Sequence, residues 1–464
     1  MRILLYGINY APELTGIGKY TGEMCAYLAK QGHTVHVITA MPYYPRWKKD
    51  EKYRWKLWHK EVLGGVSVYR CPLYVPKNIT PVRRILHEFS FVLSSVPIWI
   101  ERFFSRRYDT VISVSPPFHL GFLALVYSFL RRTPVIIHMQ DLQIDLARDM
   151  HMIKSRKLLD LMFAVERFVL NQCNTITTIS TGMLRKIVQK GVPYSKCELL
   201  PNWVDEEMIH PLTRKESLRT LFGLNQTDQV VLYSGNLGEK QGLENILEAA
   251  KSFRHRRDVH FIVVGAGGAK QSLQEAVHRY DLHNVRFFPL QAYDDLSALL
   301  AIADVHLVMQ KKSTEDLMMP SKLTSILAAG GVPLVTASKG STIYNEITRH
   351  HMGIVVQPDN ILSLTEGIKK ALNTDLQVLS INARNYAEMF LSHKTIMSAW
   401  EKRLHDILYH YKLYVLVKNR GMVVRMKNET AAFWQSYAIG SQFVIAKKKL
   451  ERHPTEEWSL SSPS

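Results

Sequence analysis

The sequence has 464 residues and little of several features that mark particular classes of protein. Its few cysteines are Cys25, Cys71, Cys173 and Cys197. They are far apart and follow no metal-ligand or redox spacing, which excludes a disulfide-stapled domain and a cysteine metal module. We therefore expect buried, reduced thiols in a cytoplasmic protein. The chain also lacks the pattern of a cleavable signal peptide, because its first residues run directly into an apolar, strand-like segment.

An uninterrupted membrane-spanning run is also missing. Residues 110–130 contain no Asp, Glu, Lys or Arg over 21 positions, a length that could cross a bilayer. Pro116, Pro117 and His119 interrupt this run, so we interpret it as a strand, a turn and a helix. A second apolar run at 89–100 is too short to span a bilayer. We interpret it as a helix face that either packs in the core or dips into lipid.

The sequence has fewer acidic than basic residues, with 41 Asp and Glu and 59 Lys and Arg, which gives a formal net charge of +18. Such a charge attracts nucleic acid or an anionic membrane surface. Residues 46–60 mix seven basic side chains with four Trp and Tyr. Rings beside cations suit the lipid headgroup layer, although they also suit stacked nucleic acid bases. We expect a membrane surface at 46–60 and 83–107, and no nucleic acid; the alternative for 46–60 is a solvated basic loop.

Short apolar strands alternate with helical segments along most of the chain. This alternation predicts an α/β fold with two doubly wound domains, each a parallel sheet with helices on both faces. A polar, proline-containing stretch at 201–219 has no strand pattern and marks the link. We place the domains at 1–203 and 204–391, followed by a helix at 392–411. The basic tail at 412–464 loses the alternation, and we expect it to be partly disordered.

A glycine-rich turn follows the first strand. Gly16 and Gly18, with Lys19 beside them, stand between a strand and a helix. Glycine lets the backbone approach a ligand closely, and the N-terminus of a helix favours phosphate. Many such turns do nothing but turn, so this one alone decides little. Its spacing matches neither a dinucleotide fingerprint nor a P-loop, which argues against a nucleotide-dependent oxidoreductase.

Two more turns of this kind lie in the second half of the chain. Gly235 and Lys240 belong to one, and Gly265 and Gly267 belong to the other. Ligands of doubly wound sheets bind at the carboxyl ends of the strands, where all three turns are predicted to lie. Three phosphate-friendly turns in two domains therefore predict a cleft that holds an anionic ligand.

A fourth segment, 314–331, begins with acidic residues and continues into a helix through Pro320, Ser321 and Lys322. The hydroxyl and the amides at this helix start can hold a diphosphate, although Pro-Ser is also suited to helix initiation alone. Lys322 at a helix N-terminus opposes the macrodipole. A negatively charged ligand would resolve that conflict.

The motifs YGINYAPELTGIGKYTGEM, LYSGNLGEKQGLENILEAA and MPSKLTSILAAGG together carry a family resemblance. Over about residues 1–411, the sequence resembles the retaining GT-B glycosyltransferases of family 4. It is especially similar to bacterial colanic-acid-biosynthesis glycosyltransferases of the fucosyltransferase-like type. The resemblance implies two Rossmann-like domains facing across a cleft. The nucleotide-sugar donor would lie mainly on the second domain, the acceptor on the first, and the helix at 392–411 would cross back to the first.

The resemblance also implies roles for individual residues. Gly16 and Gly18 match the family's N-terminal glycine loop near the donor phosphates. Gly235 matches the glycine that precedes a phosphate-binding lysine, here Lys240. His138 matches a histidine that faces the transferred sugar, and Asp141 follows it; the alternative for His138 is a satisfied histidine at a strand end.

The sequence departs from the family at two places. Asn236 stands where the family often has arginine, so stabilisation of the leaving diphosphate would rest on Lys240 and Lys322. The family's Glu-x7-Glu motif is incomplete, because Ser325 aligns with the second glutamate, which usually holds the ribose. Glu315 and Asp316 are candidates for the first acid, and Asp316 is favoured as catalytic.

The resemblance implies retaining transfer of a hexosyl residue to a lipid-linked saccharide for exopolysaccharide, on the inner face of the plasma membrane. GDP-fucose is the favoured donor. No carboxylate pair suits a bound metal, since Asp294 and Asp295 look like a helix start, so we expect no cofactor and no metal requirement. Two alternatives stay open: a sugar-nucleotide epimerase or hydrolase of the same shape, and a basic nucleic-acid-binding protein.

Overall fold

The computed structural model describes residues 1–13, 16–78, 80–238 and 241–419, with side chains as far as residue 415. Lys240 and most of the predicted tail therefore lie outside the described residues. Residues 1–192 and 196–408 form one compact unit, which contains two parallel sheets. The two doubly wound α/β layers predicted from the sequence are confirmed.

The first sheet has eight strands in the order β3-β4-β2-β1-β5-β6-β7-β8. They are β1 (Arg2–Tyr6), β2 (Thr34–Ala40), β3 (His59–Leu63), β4 (Val66–Cys71), β5 (Thr110–Ser115), β6 (Val135–Met139), β7 (Thr175–Thr178) and β8 (Cys197–Leu199). Within the described residues, β3 pairs antiparallel with β4, and the other strand pairs of this sheet are parallel. The central strands β5, β6 and β7 are buried at every position, which is why they are almost free of charged residues.

Among the described residues of the first half of the chain, six α-helices accompany this sheet. They are α1 (Gly16–Lys30), α2 (Pro81–Phe104), α3 (Gly121–Arg131), α4 (Gln143–Asp149), α5 (Arg156–Gln172) and α6 (Thr181–Gln189). Thr80, Ser155 and Ser180 cap α2, α5 and α6, because each hydroxyl accepts a hydrogen bond from a first-turn backbone amide. Residues 110–130 form a strand, a short turn and a helix, as predicted. The cysteines are also as predicted, since all four are buried without a disulfide.

The second sheet has six parallel strands in the order β11-β10-β9-β12-β13-β14. They are β9 (Gln229–Asn236), β10 (Val259–Ala266), β11 (Val285–Phe288), β12 (Val305–Val308), β13 (Pro333–Thr336) and β14 (Ile354–Val356). Its helices are α7 (Glu244–Lys251), α8 (Lys270–Arg279), α9 (Leu296–Leu300), α10 (Lys322–Ala328), α11 (Thr342–Arg349), α12 (Ile361–Leu372) and α13 (Gln377–Tyr386).

The strand order reverses at one place in each sheet. β1 lies between β2 and β5, and β9 lies between β10 and β12. Crevices form beyond the carboxyl ends of parallel strands at such a reversal. The glycine turn at Gly16 follows β1, and Gly235 lies at the carboxyl end of β9, so the fold places them at these two crevices.

The last described helix, α14 (His393–Asn419), returns to the first sheet. Its residues Met397, Trp400 and Leu404 are buried in the same apolar cluster as Ile3 and Leu5 of β1. None of the helices in the described ranges is long and apolar enough to cross a membrane.

Candidate active site

The two sheets face each other across their carboxyl ends. Loops from the part of the chain that contains the first sheet, the first half, meet loops from the part that contains the second sheet, the second half. The backbone amide of Leu142 donates to the carbonyl of Leu317 over 2.9 Å. On another side, the amino group of Lys19 lies 5.3 Å from the centre of the Tyr293 ring. The segments predicted to carry the site therefore lie at a junction of the two halves.

The amino group of Lys322 is the most unusual group at this junction. It is buried and has no hydrogen-bond partner in the part of the chain that the structure describes, although the stem of the side chain is partly exposed. It lies 3.4 Å from the centre of the Tyr233 ring and beside Gly235. Burial lowers the pKa of Lys322 well below its usual value, because the charged amine loses its hydration. The ring face compensates only partly, so the amino group could accept an anion as a partner.

Glycine is required at the ends of β9 and β10, beside Lys322, because the two chain segments lie close together there. A Cβ at Gly265 would overlap the carbonyl oxygen of Gly235, and a Cβ at Gly267 would overlap that of Leu237. Gly235 has a positive φ of 145°, and a Cβ there would lie 3.0 Å from the amino group of Lys322. These glycines therefore let the ends of β9 and β10 lie close together, and Gly235 also leaves room for Lys322.

We expect Gly265→Ala to destabilise the protein by about 3 kcal/mol, because a methyl group has no room against a backbone carbonyl. Urea denaturation measures this change. Gly268→Ala is the matched control, since no atom lies within 4 Å of its added Cβ. Equal stability of the two variants would show that the ends of β9 and β10 can move apart at little cost.

Glu13 organises the glycine turn on the first half, and the sequence analysis did not single it out. Its carboxylate accepts hydrogen bonds from the amides of Tyr43 and Tyr44, at 3.2 and 3.0 Å, and from Asn9 at 2.9 Å. Burial raises its pKa to about 6 despite these donors. A Cβ at Gly18 would lie 2.7 Å from that of Glu13, so this glycine admits the glutamate. Glu13 thus joins the turn after β1 to the loop after β2.

His138 lies within β6, where the surrounding side chains use both ring nitrogens. Its Nδ1 is 2.8 Å from the hydroxyl of Thr177, and its Nε2 is 2.8 Å from the amide nitrogen of Gln140. This arrangement is that of a neutral ring that donates through Nδ1 and accepts through Nε2. Burial lowers its pKa to about 4, so the ring stays neutral at physiological pH. A sugar contact would require Gln140 to turn aside, and the predicted role of His138 stays a prediction.

Asp316 bridges the two halves. Its carboxylate accepts from the amide of Thr342 at 3.0 Å and lies 3.4 Å from the guanidinium of Arg185. A Cβ at Gly182 would overlap it, so this glycine makes room for the aspartate. Glu315 accepts from the amide of Ser338 at 2.6 Å. Both candidate acids therefore order loops, and a direct role at the sugar stays a prediction.

The other predicted donor residues lie nearby on the second half. Asn236 is exposed at the end of β9, Ser321 is exposed at the start of α10, and Ser325 is half-buried one turn later. Lys240 is among the residues that the structure does not describe. The end of β9 and the start of α10 therefore both border the crevice beyond β9, since Lys322 lies beside Gly235.

Comparison with known proteins decides the family. Residues 15–203 match the glycosyl transferase 4-like domain, and residues 214–388 match the glycosyl transferases group 1. The chain is 40% identical over 406 residues to WcaI of Escherichia coli K12, which is assigned as a colanic acid biosynthesis glycosyl transferase. That match covers 86% of this chain and 98% of the relative. The chain belongs to this glycosyltransferase family.

Solved glycosyltransferases share the fold. Sucrose-phosphate synthase of Thermosynechococcus elongatus aligns with a TM-score of 0.70 at 14% identity, covering 88% of this chain and 99% of that one. The Anabaena protein HepE, solved with UDP and glucose, aligns with a TM-score of 0.66 at 15% identity and covers 88% and 100%. The glycosyltransferase therefore has the GT-B fold that the sequence resemblance implied.

One group of residues in the described part of this glycosyltransferase has the geometry of a metal site. His33, Glu401 and His405 bring their ligand atoms within 4.8 Å of one another. Their closeness is already explained, because His33 hydrogen-bonds Glu401 at 2.9 Å and the N-terminal amine at 3.1 Å. These bonds hold α14 on the first half.

Proposed function

We propose that this glycosyltransferase transfers a hexosyl residue from a nucleotide sugar to a lipid-linked saccharide, with retention, in the synthesis of a cell-surface polysaccharide. GDP-fucose is the favoured donor. The buried, unpartnered amino group of Lys322 carries the proposal, because a leaving diphosphate supplies the anion that it lacks. The similarity to a colanic acid glycosyl transferase and to a protein solved with UDP and glucose supports it further.

The proposed chemistry is charge stabilisation at the leaving group. Breaking the bond between the sugar and the diphosphate concentrates charge on the phosphate oxygens. Lys322 and Lys240 neutralise it, while the amides of the turns at Gly16, Gly18 and Gly235 donate to it. Preorganised donors of this kind contribute several kcal/mol to lowering a barrier. The leaving phosphate takes the acceptor's proton, so the proposal requires no separate base.

His138 fits this proposal as a neutral group. With its pKa lowered to about 4, it cannot supply a proton at physiological pH. It positions Gln140 through their hydrogen bond, and the pair lies at the carboxyl end of β6. We propose that this pair contacts the sugar hydroxyls and that Asp316 sets the distance between the two halves.

Thermal shift measurements with GDP, UDP, GDP-fucose and UDP-glucose test donor binding directly, because a bound ligand raises the melting temperature. We expect one nucleotide and its sugar to give the largest shift. Product analysis with a lipid-linked saccharide then separates transfer from hydrolysis or epimerisation. Release of free sugar with no glycoside formed would contradict the proposed transfer.

Transfer should not depend on a metal ion. Lysine side chains and backbone amides are proposed to carry the charge that a divalent cation carries in other enzymes. Activity measured after dialysis against EDTA should therefore equal that of untreated enzyme. Loss of activity that magnesium or manganese restores would overturn this expectation.

We also propose that the first half docks on an anionic membrane, on the inner face of the plasma membrane. Trp55 is 87% exposed in the segment 46–60, Phe104 is 80% exposed at the end of α2, and Phe129 is 85% exposed on α3. The helices carrying these phenylalanines contact each other, and α3 also contacts α5. This apolar face, comprising the exposed side of α2, α3 and α5, is bordered by exposed arginines, including Arg83 and Arg107.

The aromatic residues of 46–60 differ in how far their rings are exposed. Trp47 packs against Tyr43 and His87, and Tyr53 is buried beneath Arg70, so neither can reach lipid. By contrast, Trp58 is half exposed and donates to the carbonyl of Ser94 over 2.9 Å. Its indole ties the segment to α2. The proposed membrane contact therefore reaches from Trp55 and Trp58 to the apolar face.

A further inference from the structure

A cavity of about 650 Å³ lies beside the junction of the two halves. The end of α4, the loop that follows it and the start of α5 form its wall on the first half, and Ser313 closes it from the second half. Ser313 belongs to the segment that continues to Glu315 and Asp316. The cavity therefore opens near the crevice where the donor is proposed to bind, on the half where the acceptor is expected.

The wall of this cavity is cationic. Arg148, His151, Lys154 and Arg156 line it, with a single acid, Asp149. Asp149 is paired with Arg148 over 2.6 Å, so its charge is already neutralised. Lys154 and Arg156 are exposed and form no ion pair with any residue that the structure describes. Two unpaired cations and a histidine in one concave wall favour a ligand with more than one negative charge.

An apolar stripe leads away from the cavity along α5. Leu158, Leu161 and Phe168 are 39%, 60% and 53% exposed, and their spacing places them on one side of the helix. Phe168 stacks on Phe122 of α3, with ring centres 6.1 Å apart. The stripe therefore joins the mouth of the cavity to the apolar face that is proposed to meet the membrane.

We propose that this cavity binds the diphosphate of the lipid-linked acceptor, while its prenyl chain follows the α5 stripe into the membrane. This inference rests on the proposed function. The cations meet the phosphate oxygens, and the stripe covers the first part of the chain. Anchoring at this point leaves the saccharide free to extend towards the donor crevice.

Binding of farnesyl diphosphate in micelles of a neutral detergent tests the cavity without requiring any transfer reaction. The test variant is Lys154→Ser/Arg156→Ser. Lys157→Ser/Arg167→Ser is the matched control, because it removes two exposed cations of the same helix outside the cavity. All are measured in a Lys322→Met background, which removes the proposed donor anion site. We expect the test variant to lose at least about tenfold in affinity and the control less than about twofold.

Two further probes distinguish the source of the phosphate. Inorganic pyrophosphate should bind more weakly than farnesyl diphosphate, since it lacks the prenyl chain. Equal affinity of the two ligands would show that the cavity binds free phosphate groups and not a prenyl diphosphate. Phosphatidylglycerol vesicles should bind both double variants alike. A loss confined to the vesicles would assign the cations to lipid headgroups and overturn the proposal, as would unchanged binding of farnesyl diphosphate by the test variant. These binding results would leave the proposed sugar transfer unaffected, because the thermal shift and product measurements test it separately.

Discussion

Lys322→Met should abolish sugar transfer almost completely while leaving the protein folded and more stable. Methionine has nearly the shape of lysine without the charge. Removing one preorganised donor to a developing negative charge costs about 10²- to 10³-fold in kcat, and we expect a loss of that size. GDP or UDP should also raise the melting temperature of this variant by less than that of the wild type. Initial rates and thermal shifts measure the two effects.

The gain in stability follows from the same burial. The Lys322 amino group has no acceptor in the described part of the chain, and an unsatisfied buried group costs about 1–3 kcal/mol. Methionine removes that cost and can keep the contact with the Tyr233 ring. Lys370→Met on the exposed side of α12 is the control and should change neither stability nor transfer. Transfer by Lys322→Met at the wild-type rate would remove this lysine from the mechanism.

The lowered pKa of Lys322 adds a test by pH. The unfolded chain binds this proton more tightly than the folded protein, so folding stability should rise with pH between the lowered pKa and about 10.4. A bound diphosphate favours the charged amine again, so nucleotide binding should take up a proton within this window. Calorimetry in buffers of different ionisation enthalpy measures that uptake. Lys322→Met should bind without it.

Sequence patterns predicted the architecture because the composition of a strand or helix depends on how much of that element is buried. The apolar runs of β5 and β6 are buried on both faces, and only a central parallel strand needs that composition. The conflict of Lys322 with its helix dipole drew attention to a lysine whose amino group is buried, while the anionic ligand inferred from that conflict stays a prediction. The hairpin of β3 and β4 was missed, since its first strand alternates exposed and half-buried positions and carries His, Lys and Glu.

Long-range partners explain what the sequence could not predict about the site. Glu13 accepts hydrogen bonds from backbone amides some thirty residues further along the chain, and the residues next to it in the sequence do not indicate these partners. Asp316 meets Arg185 and Thr342, which lie on different halves of the protein. The glycines at 265 and 267 looked like phosphate-binding turns, yet their nearest neighbours are backbone atoms of the loop at 235–237. The residue types were therefore informative, but their partners depended on the fold.

Phe104→Ser/Phe129→Ser should weaken binding to anionic vesicles by at least about 30-fold. Both rings are almost fully exposed to water on the apolar face. Burying a phenylalanine side chain is worth about 1.5–3 kcal/mol, so even partial insertion of two rings supplies at least about 2 kcal/mol. Co-sedimentation with vesicles of phosphatidylglycerol and phosphatidylcholine measures the change. Stability should be unaffected, because neither ring is part of the core.

The matched control, Leu221→Ser/Leu362→Ser, removes two comparably exposed apolar side chains from the second half and should bind vesicles like the wild type. Salt separates the two contributions to binding. Raising ionic strength screens the arginines, so it should weaken wild type and the phenylalanine variant by the same factor. If the phenylalanine variant bound as tightly as the control, the apolar face would not contact lipid, and the membrane contact would have to rest on charge alone.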